Sequence, residues 1–398
     1  MRTGYRESKK SQRKRRKKPK PKGEELPQFL KSLKARLVTP KLKKLPKCVE
    51  FYGFLFLGSD FFGISNGKWT TQIYDLKTKK PLRRAKLQPT HNNFGRIVST
   101  VLAEKMIYCF TETAGIYYSS IEEEDGFRKL NWVVEQSERE AARTLCGGFG
   151  GKGIVNGSRG TIYIGHLKRG GGIRFTTILG ARERERRYQW ENWVVRQLVT
   201  GEKQNQVVML YSSSIQIHQY SFSNRKLMRS ITCTIPGSGK NILQEYPELI
   251  DSLTCKEDGT SYIAVSFARS ARRLHGRGMA EKATKIILFE LTVAGLIEVV
   301  STCKLEIRDM TPLLGLKFFG ESFGEGRYLM LAGYLWTQDR NHLAVFFCFD
   351  KLEKKLRLVE SLQTVLKDEV VRGGLRLFGK IYSVNSSGKF VGLTLESK

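Results

Sequence analysis

Ile73-Tyr74-Asp75-Leu76, an apolar quartet that runs into the polar stretch Lys77-Thr78-Lys79-Lys80, decides how this chain is read. It is too short for a helix, and it uses the side chains that favour a pleated, half-buried strand. The same type of segment recurs at Ile116-Tyr117-Tyr118-Ser119, Ile162-Tyr163-Ile164-Gly165, Ile215-Gln216-Ile217-His218, Ile286-Ile287-Leu288-Phe289, Ala344-Val345-Phe346-Phe347 and Phe390-Val391-Gly392-Leu393. Successive copies start 43 to 71 residues apart. In most units an apolar strand precedes the quartet and a more basic one follows a polar turn. These followers are Leu82 to Leu87, Lys129 to Val134, Ile173 to Leu179, Lys226 to Cys233, Leu296 to Cys303 and Lys355 to Leu362.

Four short strands repeated about every 45 to 50 residues is the pattern of β-propeller blades. The sequence therefore predicts an all-β fold, a seven-bladed β-propeller with a disordered basic N-terminal arm. No amphipathic helix exceeds about three turns; the best stretch, Gln136 to Arg143, is short. A parallel α/β fold needs a crossover helix after each strand and is excluded on that ground. The seventh unit has only three residues after Thr394-Leu395, which leaves it without an outer strand. An open ring would expose sheet edges. Residues Ser32 to Val38, in which Leu33, Ala35 and Leu37 alternate with Lys34 and Arg36, have the pattern to supply it. The expected organisation is an arm over 1–30 and a propeller over 31–398, with 31–38 closing the last blade against Lys389 to Leu395.

From about residue 48 onward the chain resembles the WD40-like propeller superfamily. The resemblance rests on Tyr74-Asp75, which stands where that family has Trp-Asp at the end of the third strand. The other units carry Tyr118-Ser119, Gly165-His166, Gln219-Tyr220, Phe289-Glu290 and Phe349-Asp350 there, and the Gly-His that opens a standard unit is absent. Around Ser261 to Leu291 the layout looks like the long inserted hairpin of polyadenylation-factor and DNA-damage-binding propellers. What the resemblance implies is a rigid disc that binds other proteins through its faces.

The 398 residues carry 69 Lys or Arg against 38 Asp or Glu, a net charge of +31. Residues 1–47 hold 19 of the bases and three acids, so half of the excess lies in about an eighth of the chain. A hydrophobic fraction of 40% still leaves enough apolar material for a core, which excludes global disorder. The densest basic run, Arg13, Lys14, Arg15, Arg16, Lys17 and Lys18, lies in a segment with no aliphatic residue from Lys9 to Lys22. Such a segment cannot offset its ordering entropy by burial. It suits nuclear import or the neutralisation of nucleic-acid phosphates, and acidic proteins or membranes would attract it as well.

Two internal segments carry the same chemistry. Ala268 to Thr284 is read as a long loop with a net charge of +4, from Arg269, Arg272, Arg273, Arg277 and Lys282 against Glu281. Arg is suited to phosphate by its forked geometry. The second segment interleaves Arg182, Arg184, Arg186 and Arg187 with Glu183 and Glu185, beside Tyr188, Trp190 and Trp193. Aromatic rings next to cations suit single-stranded RNA, and the competing reading is a self-paired surface with Trp in the blade core.

No catalytic or cofactor motif is present. Gly147 to Gly153 and Gly237 to Lys240 lack the Ser or Thr that follows Lys in a phosphate loop, and both read as turns. The five histidines are widely spaced, with His166 and His218 in equivalent third-strand regions. Seven cysteines without a paired spacing read as reduced core thiols. No apolar run approaches a membrane span or a secretory signal. The expectation is a non-enzymatic scaffold with no cofactor and no metal, nuclear or nucleolar, binding proteins through its faces and RNA or another polyanion through its arm. The alternative is a cytoplasmic or cytoskeletal adaptor whose arm meets acidic proteins.

Overall fold

The computed structural model describes residues 27–38, 54–57, 61–65, 70–86, 97–103, 106–111, 116–121, 128–129, 144–148, 153–158, 161–167, 173–179, 198–200, 206–210, 214–221, 226–235, 245–272, 279–305, 313–336, 342–366, 375–377, 379–384 and 390–397. A short helix α1 (Gln28–Ser32) leads into β1 (Leu33–Val38). The first antiparallel sheet then holds β2 (Phe54–Leu57), β3 (Phe61–Ser65), β4 (Thr70–Asp75) and β5 (Pro81–Lys86). The second has β6 (Ile97–Ala103), β7 (Met106–Thr111), β8 (Ile116–Ser120) and β9 (Arg128–Lys129). In the third are β10 (Thr144–Gly148), β11 (Gly153–Ser158), β12 (Thr161–Leu167) and β13 (Ile173–Leu179). The fourth is built from β14 (Leu198–Thr200), β15 (Gln206–Leu210), β16 (Ser214–Ser221) and β17 (Lys226–Thr234).

The fifth sheet is β18 (Tyr246–Thr254), β19 (Ser261–Arg272), β20 (Met279–Leu291) and β21 (Ile297–Lys304). Next come β22 (Leu313–Phe323), β23 (Tyr328–Trp336), β24 (His342–Asp350) and β25 (Lys355–Leu358), with β26 (Thr364–Leu366) also pairing β24. The seventh has β27 (Leu375–Leu377), β28 (Lys380–Val384) and β29 (Phe390–Ser397), and β1 lies beside β29 as its outer strand. Each recurring apolar quartet is thus the core of a third strand. First strands lie side by side in chain order from β2 through β6, β10, β14, β18 and β22 to β27, and β27 also meets β2. Contacts therefore pass through all seven described sheets and return to the first.

β1 runs antiparallel to β29 from Leu33 opposite Ser397 to Val38 opposite Gly392. Leu30 and Leu33 are 1% and 4% exposed and join a core with Phe319, Met330 and Phe346 of the sixth sheet, Val359 just after β25, and Ile381 and Leu393 of the seventh. Phe29 stacks on Tyr328 at 5.2 Å between ring centroids. Residues 27–30 therefore belong to the folded body, and a boundary at 31 cuts through its packed edge. Leu37 also departs from its alternation: it is 42% exposed, on an outermost strand whose one ladder partner among the described residues is β29.

Gly392 is where β29 is tightest. A β-carbon there would fall 2.5 Å from Tyr382 Cε1 and 2.8 Å from Val38 Cγ2. Overpacking of this kind costs about 1–3 kcal/mol. Gly392→Val is expected to lower stability by that amount in urea titration, and an unchanged midpoint would show that the seam adjusts freely.

The third strands of the first and sixth sheets, β4 and β24, end in the same kind of turn. Asp75 Oδ1 accepts the Thr78 N–H at 2.6 Å, and Asp350 Oδ1 accepts those of Leu352 and Glu353 at 3.0 and 3.3 Å. Four residues after each Asp comes a lysine with positive φ, Lys79 at 58° and Lys354 at 49°. A short carboxylate that bonds its own backbone is what this turn requires. Asp350 is 2% exposed; burial pushes its carboxyl up, and the Arg327 guanidinium with the two backbone N–H groups outweighs this and holds it below the usual range.

The expected strand Lys355 to Leu362 is shorter. β25 stops at Leu358, the chain makes a 3-10 turn over Glu360–Leu362, and β26 returns to β24. Val359 and Leu362, both buried, pull the chain inward onto the core that holds Leu30. Cys109, Cys255, Cys303 and Cys348 are buried, and Cys233 is half-buried.

Candidate nucleic-acid interface

The fifth sheet carries the longest pair of strands among the described residues. β19 and β20 pair from Ser261 opposite Leu291 to Arg272 opposite Met279. Their neighbours stop earlier, β18 at Tyr246 opposite Ala268 and β21 at Lys304 opposite Lys285. Residues 269–272 and 279–282 have only each other as described ladder partners, so they form a two-stranded ribbon beyond the sheet.

The base of the ribbon is well anchored. Phe267, Ala268 and Ala283 are each no more than 2% exposed. Thr284 Oγ1 donates to the Phe267 carbonyl at 3.3 Å, and the Leu305 N–H donates to the Thr284 carbonyl at 2.8 Å. Lys285 Nζ lies 2.8 Å from Glu245 Oε2 and 5.1 Å from the centroid of the Phe267 ring.

This overturns the reading of Ala268 to Thr284 as a loop. Arg269 and Arg272 lie on β19, and only 273–278 link the strands. An alternation-based reading missed the extension because Arg269-Ser270-Ala271-Arg272 has no apolar face to reveal a strand. The ladder places Arg269 directly opposite Lys282, Ser270 opposite Glu281 and Arg272 opposite Met279.

Arg273 and Arg277 lie outside the described residues, as do Arg182, Arg184, Arg186, Arg187 and the run Arg13 to Lys18. Of the basic residues singled out from the sequence, Arg269, Arg272 and Lys282 are the ones on described strands of the ribbon.

A second charged group was not anticipated. Asp251 of β18 accepts the Phe318 N–H at 2.8 Å and pairs with Lys317 Nζ of β22, also at 2.8 Å. Arg376 of β27 reaches back to the Ser252 carbonyl at 3.5 Å, and its Cδ would lie 3.2 Å from a β-carbon at Gly320. Ionic and polar contacts thus tie three successive sheets at their first strands. The signal was a lone acid inside the apolar run Leu249 to Leu253. These groups are paired with one another, and the arrangement reads as a brace between sheets.

His218 on β16 is 2% exposed. Its Nδ1 is 2.8 Å from Ser230 Oγ on β17, whereas Nε2 is buried without a partner among the described residues. Burial pushes its pKa down to about 4. Among the described residues no group of three His, Cys, Asp or Glu is placed to hold a metal ion, and no helix is long and apolar enough to cross a membrane.

No family model matches the sequence, and no curated protein matches it either. Solved structures do. The β-propeller domain of Cps50 (Swd1) from Myceliophteria thermophila aligns with a TM-score of 0.54 at 8% identity, over 89% of this chain and 98% of that one. The β-propeller domain of Nup133 from Vanderwaltozyma polyspora aligns at 0.55 and 11%, over 91% and 100%. The N-terminal domain of Nup159 aligns at 0.50 and 12%, over 92% and 96%. At such identities the likeness is one of fold: the chain is built as a β-propeller.

Proposed function

We propose that this chain is a non-catalytic seven-bladed β-propeller scaffold in a nuclear, RNA-containing assembly. The faces of the disc engage proteins, and the arm and basic segments contact phosphates. The observation that carries this reading is the cationic ribbon held on an anchored base, in a chain whose net charge is +31. Recruitment would be electrostatic and would not read bases, since phosphate contacts position a partner without specifying sequence.

The test is RNA binding across a salt series. Release of counterions makes log K fall with log salt by about 0.7 per phosphate contact on a single strand. Replacing Arg13, Lys14, Arg15, Arg16, Lys17 and Lys18 by Gln should therefore flatten the slope by up to about 4. A shallow slope in the intact chain, or one that the replacement leaves unchanged, overturns the reading in favour of an adaptor for acidic proteins.

A further inference from the structure

Four turns of the fifth and sixth sheets meet at one place. They join β18 to β19 (255–260), β20 to β21 (292–296), β22 to β23 (324–327) and β24 to β25 (351–354). A β-carbon at Gly259 would lie 3.3 Å from Val293 Cγ2, and one at Gly326 would lie 3.3 Å from Glu257 Oε2. Lys351 Nζ pairs with Glu257 at 3.4 Å, and Lys354 Nζ with Glu298 at 3.1 Å. The four turns therefore form one continuous surface.

Three of the seven large apolar side chains that stand exposed among the described residues are in these turns: Val293, Leu296 and Leu352, at 62% to 76%. The turn that carries the first two is closed by other groups. Thr292 Oγ1 accepts the Leu296 N–H at 3.1 Å, and the Thr292 carbonyl accepts the Gly295 N–H at 2.9 Å. Exposed Val and Leu add nothing to such a turn, and grouped apolar side chains of this kind mark an interaction site.

Charge decides what covers them. Glu257, Asp258, Glu298, Glu325 and Glu353 are exposed on this surface, against Lys256 and Lys354. Where acid and base pair, the base is the deeper partner: the Lys351 side chain is 15% exposed beside Glu257 at 58%, and Arg357 is likewise more covered than Glu353. A chain with a net charge of +31 thus places carboxylates outermost around these apolar turns.

We infer that this surface docks a basic amphipathic helix of a partner protein. Its apolar face, built from residues three and four apart, would lie on Val293, Leu296 and Leu352, and its Lys or Arg side chains would meet the surrounding carboxylates. An apolar centre with a charged rim is the usual anatomy of a protein interface. The inference rests on the part of the reading above in which the disc engages proteins, and it does not require RNA binding.

The experiment follows the fluorescence anisotropy of a labelled synthetic helix added to the intact chain. The helix has about 14 residues, leucines three and four apart and lysines elsewhere; a comparison peptide of the same composition scatters the leucines around the helix. Two variants are measured beside the intact chain. One combines Val293→Ser, Leu296→Ser and Leu352→Ser, and the other combines Glu257→Gln, Glu298→Gln and Glu353→Gln. These side chains are exposed and their ion pairs lie at the surface, so both variants should keep the melting temperature of the intact chain. Each should bind the amphipathic helix at least about tenfold more weakly, and the intact chain should prefer it to the scattered peptide by a similar factor.

No binding by the intact chain, equal binding by either variant, or equal binding of the two peptides overturns the inference. So does light scattering that shows a dimer which the Ser variant returns to a monomer, since the surface then belongs to a second copy. RNA binding on the same samples should be alike for the intact chain and both variants. A chain that binds the helix and not RNA overturns the RNA reading and leaves the docking surface standing, and one that binds RNA and not the helix does the reverse.

Discussion

Deleting residues 1–38 should lower the melting temperature by about 10 °C or more, while deleting 1–26 should leave it within a degree or two. The first deletion removes β1 from β29, strips Phe29 from Tyr328, and uncovers the core around Phe319, Val359 and Leu393. Leu30 and Leu33 are each buried to within a few per cent, and truncating such a leucine to alanine costs about 2–5 kcal/mol. Leu30→Ala and Leu33→Ala should each show part of the loss in the full-length chain. A melting temperature that responds equally to both deletions would mean that β1 contributes nothing the first 26 residues do not.

The second large effect is on acid stability. A histidine titrating near 4 when folded and near 6.5 when unfolded stays neutral in the native state while the unfolded chain takes up a proton. The unfolded state binds more protons between those values, so stability falls as pH drops through that window and is intact above it. The shift corresponds to about 3 kcal/mol. His218→Gln keeps an acceptor for the Ser230 hydroxyl and removes the titration. The wild type should lose about 3 kcal/mol more than the variant between pH 6.5 and 4, measured by urea midpoints at each pH. Parallel curves would show that the ring reaches solvent when protonated. Asp350, held below the usual carboxylate range, contributes its loss at lower pH and leaves this window clear.

The third strands were legible because each is a run of Ile, Val, Tyr or Phe bounded by turn residues, and burial on both faces demands that composition. Tyr74, Ile217, Phe289 and Phe346 are all buried as that reading requires. What escaped notice obeys other forces. Helix α1 spans five residues and has no period to detect; Pro27 opens it and the burial of Leu30 holds it. The ribbon is held by backbone pairing beyond a buried base, and backbone pairing leaves no mark on composition. The brace of Asp251, Lys317 and Arg376 joins residues more than 60 positions apart, and no local window contains them. Of the basic residues proposed for phosphate contact, the sequence marked the charge and only the ladder revealed that Arg269 faces Lys282 in register.

Leu33 is paired with Ser397, about 360 residues later in the chain, and this sets a timetable for synthesis. A ribosome that adds about 5–20 residues per second needs roughly 20 to 70 s to travel from one partner to the other. Through that interval β1 has no β29 to pair with, and Leu30 and Leu33 have no finished sixth and seventh sheets to cover them. The nascent chain therefore offers chaperones an apolar, edge-forming segment close to a strongly basic tail. The seal between β1 and β29 waits for β29 to emerge, so a stall before that point leaves an open and sticky product.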